Sequence, residues 1–315
     1  QRKVLLEVFS TELCTNCPTV HKQISAVADT CERIIELGHH AGFYEDNYTI
    51  AASKEYEWFY KEGRLYAPAV MLDRTEMSDN YPDIYSDGVP VVSVGASKLK
   101  TLYAEQSCAP AFVSVEPTVK TDKSGNILIH VEGEQLIDTD VESPRLFVFV
   151  SEDSVYSTNQ SGASGGYYHR HMARQSVTPT WGEPIDIKGY TADYTVPVQT
   201  GWDAARLSVV AFVANYDAED KNNCRVLNAE EAKVPYEGVA GIESAVAKPM
   251  HVSWDGSTLM VKDGFSRLTV CDMSGRQVYS ATADDTADLG FLDRGYYIAT
   301  IVCGNGQKVM KLMAD

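Results

Sequence analysis

The residues best suited to chemistry are two cysteines near the start of the chain. Cys14 and Cys17 are separated by two residues and follow an apolar, strand-like run at residues 3–9. Apolar residues recur at helical spacing over residues 17–30, which places the pair where a buried strand meets a helix. Unpaired N–H groups and the positive end of the helix dipole lower the pKa of a thiol at such a position. We therefore predict that Cys14 is a nucleophile in thiol–disulfide exchange and that Cys17 resolves the mixed disulfide.

The CxxC motif has other interpretations. It could form half of a zinc site, but no second CxxC or Cys/His pair stands at zinc-finger spacing. A stable disulfide between Cys14 and Cys17, structural or used only for binding, is an open alternative. The sequence also contains no Walker loop and no dinucleotide-binding glycine motif. We therefore predict no metal site and no cofactor.

Histidines stand near two of the sequence motifs. His21 follows Cys17 by one helical turn and could tune the thiols, although we expect it to face solvent. His169 and His171 alternate on a predicted strand, so both rings would project to one face. A third ligand for a metal is not identifiable. We interpret this pair, with Arg174, either as polar surface residues or as residues that clamp a loop.

The elements that must position the cysteines alternate between strand and helix over residues 1–109. A continuous apolar run, as at residues 3–9, is typical of a strand covered on both faces. This order predicts a small α/β domain. Residues 75–94 hold either a fourth strand or a long loop. The further predicted elements are strands at 33–40 and 67–73 and helices at 50–62 and 95–106.

From residue 111 the pattern changes to period two, which predicts β-structure. Residues 112–116 and 127–131 are predicted to form a hairpin around a turn at 123–126. Residues 110–238 are assigned to a β-sandwich domain and residues 242–315 to a second one, with a linker at 237–241. The sandwich is predicted to contain further strands at 145–150, 192–198 and 205–213 and an exposed loop at 156–166.

Composition excludes several classes of protein. The 315 residues carry 27 basic and 44 acidic side chains, a net charge of −17. Binding to a phosphate backbone requires clusters of Lys and Arg, so a nucleic-acid-binding role is excluded. The longest apolar runs reach about seven residues, whereas a membrane helix needs about 20. The chain begins at Gln1 without an apolar leader, and we expect that a signal peptide has been removed from it.

The CxxC motif and Pro68, at the head of the third predicted strand, together resemble the thioredoxin fold. The resemblance implies that Ala67–Pro68 is a cis peptide that faces the cysteines and presents backbone groups to a substrate. Two positions depart from the thioredoxin pattern. Val8 replaces its buried carboxylate and Leu13 replaces the aromatic residue before the first cysteine. The predicted fold is an α/β thioredoxin-like N-terminal domain followed by two all-β sandwich domains.

Longer stretches resemble known families of exported proteins. Residues 4–18, with the motif CTNCP, and residues 168–174, with YHRHMAR, are similar to the outer-membrane-protein-28-related family of Gram-negative bacteria. This implies export to the outer membrane, the cell surface or the medium, and it supplies no established reaction. Residues 242–315 resemble the sorting domain of type IX secretion, which would engage the export machinery. A plain accessory β-sandwich is the alternative for that region.

Two functional hypotheses follow. The first is an extracytoplasmic thiol–disulfide oxidoreductase that acts through Cys14 and Cys17, assisted by Pro68, on protein or peptide thiols and disulfides. The second is a surface binding or adhesion protein in which the CxxC disulfide is structural. Whether the protein is an enzyme is left open by the sequence.

Of the remaining five cysteines, the thioredoxin resemblance places two. In that topology Cys31 and Cys108 reach the same pole of the domain, where they form either a disulfide or two buried free thiols. Cys224 is expected to be a free thiol, and Cys271 and Cys303 are a possible pair in the last domain.

Overall fold

The chain forms two compact units, Gln1–Tyr236 and Glu237–Asp315. The computed structural model describes residues 2–235, 252–272, 276–282, 284–303 and 306–314. The boundary predicted between residues 109 and 110 lies inside the first unit, and a β-sheet crosses it. The predicted linker at 237–241 lies outside the described residues.

The first part of unit one has the predicted alternation of strands and helices. Strand β1 (Val4–Ser10) precedes helix α1 (Cys17–Ala28), strand β2 (Ile34–His40), helix α2 (Ala51–Glu55), a 3₁₀ turn (Tyr56–Phe59), strand β3 (Ala69–Leu72) and helix α3 (Ala96–Ser107). β1 is parallel to β2 and antiparallel to β3. Residues 75–94, predicted as either a fourth strand or a long loop, form no strand. Their one β-contact is an isolated antiparallel bridge between Val92 and Val70 of β3.

The two faces of β1 serve different cores. Val4, Leu6 and Val8 face α1 and α3, whereas Leu5 and Phe9 face α2 and the aromatic residues of the 3₁₀ turn. Every residue of β1 is buried. This explains the continuous apolar run in the sequence, because both faces of the strand are covered.

The rest of unit one is almost entirely β-structure. Its strands are β4 (Glu116–Thr121), β5 (Asn126–Gly133), β6 (Pro144–Glu152), β7 (Val155–Ser157), β8 (Tyr167–His169), β9 (Met172–Ser176), β10 (Glu183–Pro184), β11 (Tyr190–Pro197), β12 (Leu207–Asn215) and β13 (Val226–Lys233). The main sheet has the order β13-β12-β6-β9-β2-β1-β3, and β10 pairs with β6. A second sheet, β11-β5-β4, packs on one face of β6 and β12 around an aliphatic core. The expected β-sandwich is therefore present.

The predicted hairpin is shifted along the chain. Its turn is correct, but the strand that pairs with β5 is β4, at 116–121, and the assignment of 112–116 was wrong. Val113 and Val115 are buried in the sandwich core, and Val113 makes an isolated bridge to Gln135. The apolar residues at 112–116 therefore belong to the segment that leads into the sandwich. The residues of β4 alternate between exposed and half-buried positions.

Arg74 joins the two parts of unit one from within the core. It is 1 % exposed, and its guanidinium donates to both carboxylate oxygens of Glu7 at 2.8 and 3.0 Å. The same group lies 4.5–5.0 Å from the ring centroids of Tyr56, Phe59, Phe147 and Phe212. Because these rings come from both parts of the sequence, the ion pair sits in a core that the two parts share.

Unit two contains seven strands in the described residues: β14 (Val252–Trp254), β15 (Thr258–Phe265), β16 (Arg267–Asp272), β17 (Gln277–Ala281), β18 (Asp284–Asp288), β19 (Gly295–Cys303) and β20 (Gly306–Ala314). They form the sheets β14-β15-β18 and β17-β16-β19-β20, with one apolar core between them. The expected β-sandwich is present here too. Across the described parts of both units, none of the helices has the length and apolar character needed to cross a membrane.

Candidate functional site

The two cysteines of the CxxC motif form a disulfide where β1 gives way to α1. Cys17 is the first residue of α1, and Pro18 follows it at a position where its missing N–H costs no helical hydrogen bond. The Cys17 backbone N–H donates to the sulfur of Cys14 at 3.1 Å. A first-turn N–H group of the helix thus points at the predicted nucleophile, which is the arrangement that stabilises a thiolate.

Pro68 lies at the same end of the sheet. The Ala67–Pro68 peptide is cis, as the thioredoxin resemblance implied, and Pro68 is half-buried. Ala69, the first residue of β3, pairs with Phe9 in β1. Pro68 therefore lies beside the end of β1, where the chain turns towards Cys14.

The disulfide is covered in this structure. Cys14 is 3 % exposed and Cys17 is fully buried. Residues 158–166, between β7 and β8, lie over the turn that carries Cys14, and we call them the cover segment. The Gln160 amide of this segment donates to the Cys14 carbonyl at 2.9 Å. The exposed loop predicted at 156–166 is therefore wrong in part, because Ser157 and Gln160 are buried against the cysteine turn.

A hydrogen-bonded pair of side chains, Asp46 and His40, supports the same turn. The Asp46 carboxylate accepts from the Glu12 N–H at 2.7 Å and contacts His40 Nδ1 at 2.7 Å. Burial alone would raise the pKa of Asp46, but the His40 hydrogen bond and charge and the backbone N–H groups of Glu12 and Tyr48 outweigh it and lower the pKa to about 2. Asp46 is therefore a carboxylate that fixes both the turn and the His40 ring.

A polar cavity lies between α1 and β2. It leaves about 20 Å³ for the centres of water molecules, which is room for about one water. His21, Glu36 and His169 line it, and His21 Nε2, Glu36 Oε2 and His169 Nε2 are buried without a hydrogen-bond partner. Burial and the nearby His40 lower the pKa of His21 to about 4. The expectation that His21 faces solvent was therefore wrong.

The two histidines of the YHRHMAR stretch do not share a face. His169 ends β8 and is 2 % exposed, with its ring centroid 4.6 Å from that of His40. His171 has a φ of 44°, a left-handed conformation that breaks the strand alternation, and its backbone N–H donates to Asp153 at 3.3 Å. Arg174 pairs with Glu152 at 3.2 Å instead of clamping a loop with them.

No group of three His, Cys, Asp or Glu side chains in the described residues is arranged to hold a metal ion. The cavity between α1 and β2 was not predicted from the sequence. Glu36, which lines it, stands in β2 among apolar residues, and nothing about its spacing relates it to His21 or His169.

The other cysteines are mostly free thiols. α3 does end near the start of β2, because Arg33 donates to the Ser107 carbonyl at 3.2 Å. Cys31 and Cys108 are nevertheless both free, and Cys108 is exposed, with its thiol donating to the Ala104 carbonyl at 3.1 Å. The disulfide alternative for this pair was wrong. Cys224 is free and buried, as expected for the unpaired thiol, and Cys271 is free, while the Cys303 side chain lies outside the described residues.

Comparison with protein families connects part of the chain to an envelope protein. Residues 91–237 match the family model described as "Outer membrane protein Omp28". The match supports the relationship to this family that the sequence motifs indicated. It also supports the expected location: the protein is exported to the outer membrane, the cell surface or the medium. No curated protein matches the chain.

Solved structures provide a second comparison. The chain is similar in fold to HBP35 of Porphyromonas gingivalis, with a TM-score of 0.60 and 17% identity over 100% of this chain and 99% of that one. A domain of the outer membrane lipoprotein Omp28 from Porphyromonas gingivalis has a TM-score of 0.28 and 24% identity, over 40% of this chain and 90% of that one. The first of these likenesses concerns the fold alone, and the second is too weak to carry an argument.

Proposed function

We propose that this exported envelope protein exchanges thiols and disulfides through Cys14 and Cys17, in a thioredoxin-like arrangement of β1, α1, β2, β3 and α3. The observation that carries the proposal is the hydrogen bond from the Cys17 N–H to the Cys14 sulfur at 3.1 Å. This bond and the N-terminus of α1 favour the thiolate of Cys14 once the disulfide is reduced.

The chemistry would proceed in two exchange steps. The Cys14 thiolate attacks a substrate disulfide, a bond forms between Cys14 and one substrate sulfur, and the other substrate sulfur leaves as a thiolate. The Cys17 thiolate then attacks the Cys14 sulfur, which restores the Cys14–Cys17 disulfide and releases the second substrate thiolate. The two electrons come from the cysteine pair, so an external thiol must reduce it again. Pro68, beside the end of β1, is proposed to present its backbone to the substrate.

The test is the reduction potential of the Cys14–Cys17 pair, measured in a glutathione or dithiothreitol redox series. The Cys108→Ser variant is the appropriate background, because its exposed thiol would otherwise form mixed disulfides. We expect a value between about −270 and −120 mV, the range of thiol–disulfide catalysts. A value below about −300 mV, or insulin reduction equal to that of Cys14→Ser, would overturn the proposal.

A second candidate function is favoured by the burial of the disulfide. With Cys14 3 % exposed and Cys17 fully buried, the bond could serve only to stabilise a surface binding or adhesion protein. This function predicts the potential below about −300 mV described above. It also predicts that Cys14→Ser destabilises unit one while any binding activity of the folded protein is kept.

The C-terminal unit is proposed to be a sorting domain that engages the type IX export machinery. Its support is the resemblance of residues 242–315 to such domains and the two-sheet sandwich of β14–β20. Removal of this unit in the bacterium that produces the protein should leave the remainder in the periplasm, detected by cell fractionation. Normal surface delivery of the shortened protein would contradict this role and favour a plain accessory domain.

A further inference from the structure

The segment that covers the disulfide is held mainly by hydrogen bonds to backbone. The Gln160 side-chain amide donates to the Cys14 carbonyl at 2.9 Å and also lies 3.3 Å from the Glu12 carbonyl and 3.4 Å from the Thr11 carbonyl. The Ser161 N–H donates to the Glu12 carbonyl at 2.7 Å. All of these contacts end on the turn that leads into the CxxC motif. The cover segment is thus attached to the structure that carries the predicted nucleophile.

Gly162 brings the backbone of the cover segment against the peptide between the two cysteines. A Cβ atom at this position would lie 2.0 Å from the Thr15 carbonyl oxygen and 2.8 Å from its carbon. Real Cβ atoms do not approach backbone this closely, and φ at Gly162 is +79°, a conformation that favours glycine. Only a residue without a side chain allows the cover segment to close on Thr15.

Few other contacts hold the segment: the Asn159 N–H donates to Ser157 Oγ at 3.0 Å, and the Tyr156 hydroxyl donates to the Gly165 carbonyl at 3.4 Å. Gln160 is its only buried residue, and the others are exposed or half-buried. Gly165 and Gly166 follow with φ of +85° and +98°, and a Cβ at Gly165 would meet nothing within 4 Å. Segments with few buried apolar contacts open locally at low cost, without unfolding of the core. The cover segment has the properties of such a unit.

We infer that residues 158–166 are a lid over the Cys14–Cys17 disulfide, and that a thiol reaches the disulfide only after the lid leaves the Cys14–Thr15 backbone. In the closed state Gln160 and Gly162 block the approach of an attacking thiol to the Cys14–Cys17 disulfide. The rate of reduction is then the open fraction of the lid multiplied by the intrinsic rate of exchange. A role for the lid in controlling catalysis rests on the proposed function, whereas control of access to the disulfide does not.

The test compares two glycines of the same segment that share a positive φ but differ in their surroundings. Gly162→Ala places a methyl group where the Thr15 carbonyl lies and should hold the lid open, whereas Gly165→Ala carries the same backbone cost in open space. Folded proteins are exposed to dithiothreitol, quenched with acid and alkylated, and the reduced Cys14 and Cys17 peptides are quantified by mass spectrometry. We expect Gly162→Ala to be reduced at least about tenfold faster than wild type, because one hydrogen bond of typical net strength already changes an equilibrium severalfold. Gly165→Ala should stay within about twofold of wild type.

Equal rates for the wild-type protein and both variants would overturn the inference, as would equal acceleration of both variants. If Gly162→Ala does not fold, Gln160→Ala and its exposed neighbour Asn159→Ala form a second pair, judged in the same way. Low concentrations of urea provide a further check, because opening a lid exposes little surface and the rate should respond weakly. A strong response to urea would show that reduction proceeds through unfolding of the whole unit and would overturn the inference.

The outcome is independent of the reduction potential. The potential is an equilibrium quantity of the cysteine pair, whereas the glycine variants change a rate. A potential below about −300 mV together with fast reduction of Gly162→Ala would refute the exchange activity and keep the lid. A potential between about −270 and −120 mV with no effect of Gly162→Ala on the rate would keep the exchange activity and refute the lid.

Discussion

The buried ion pair between Glu7 and Arg74 allows a quantitative test of how unit one is held together. Glu7 is fully buried in β1, and its carboxylate also contacts His39 Nε2 at 3.3 Å. The substitution Glu7→Gln keeps the size and planarity of the side chain and removes its charge. The Arg74 guanidinium, itself buried, is then left without a carboxylate partner.

Two estimates of the cost agree. Removal of one partner from a buried ion pair costs about 3–5 kcal/mol. Burial alone would raise the pKa of Glu7, but the charge of Arg74 and the hydrogen bonds from His39 and Arg74 lower it from 4.5 to about 2. A difference of about 2.5 pKa units is worth about 3.4 kcal/mol. Because the pKa in the folded state is depressed, this stability is present above pH 4.5 and is lost as the pH falls towards 2.

The assay is urea unfolding of the wild-type protein and of Glu7→Gln at pH 7 and pH 3, followed by tryptophan fluorescence. A Trp254→Phe background leaves only tryptophans of the first unit, so that the second unit does not contribute to the signal. We expect Glu7→Gln to be less stable by about 3.4 kcal/mol at pH 7 and by about 1.4 kcal/mol at pH 3. The control Glu116→Gln, at an exposed position of β4, should change stability by less than about 0.5 kcal/mol at both values.

The dependence on pH is the decisive part of this experiment. If the loss at pH 3 equals the loss at pH 7, the carboxylate charge is not its source, and altered packing around the amide is the better explanation. If Glu7→Gln is as stable as wild type at pH 7, the pair does not stabilise the shared core.

Two further predictions concern buried titratable groups. Burial, with His40 nearby, lowers the pKa of His169 to about 3, so the free energy of unfolding of unit one should fall as the pH drops below 6.5. His169→Phe should reduce the pH dependence of this free energy by about 1.4 kcal/mol per pH unit, measured by urea unfolding between pH 6 and 4. An unchanged pH dependence would contradict the lowered pKa of His169. Burial also raises the pKa of the Cys224 thiol, so in the folded protein iodoacetamide should label the exposed Cys108 at least about tenfold faster than Cys224. Equal labelling of the two peptides, measured by mass spectrometry, would show that Cys224 is accessible.

Local patterns in the sequence were sufficient to predict the elements around the cysteines. The predicted strand at 33–40 is β2 (Ile34–His40), and the predicted helix at 95–106 is α3 (Ala96–Ser107). These elements have a clear apolar period because one or both faces pack against a core. The CxxC turn and the strand after Pro68 were predictable for the same reason, since each adjoins a buried strand.

Features that depend on contacts between distant residues were not predictable. Glu7 lies in β1 next to Val8, but its partner Arg74 is 67 residues away and no local pattern connects them. The exposure of His21 was predicted wrongly because the short apolar pattern of α1 does not show which residues pack against its polar side. Glu36 and His169, the strand residues that line the cavity with His21, come from other parts of the chain. Polar residues in a core are paired by the tertiary structure, which a periodicity does not encode.

The position of the cover segment follows from the way in which the two parts of unit one are joined. β9 lies parallel to β2 through the pair Gly38 and Met172, and the Gly38 N–H donates to the His171 carbonyl at 2.8 Å. A Cβ at Gly38 would lie 3.0 Å from the Arg170 carbonyl oxygen, so a glycine permits this close approach. The joint places β8, which immediately precedes it in sequence, beside β2, and the segment before β8 then reaches the cysteine turn. The residues that cover the disulfide therefore come from the part of unit one that follows α3, and the joint between β2 and β9 sets the position of the cover segment over the cysteine turn.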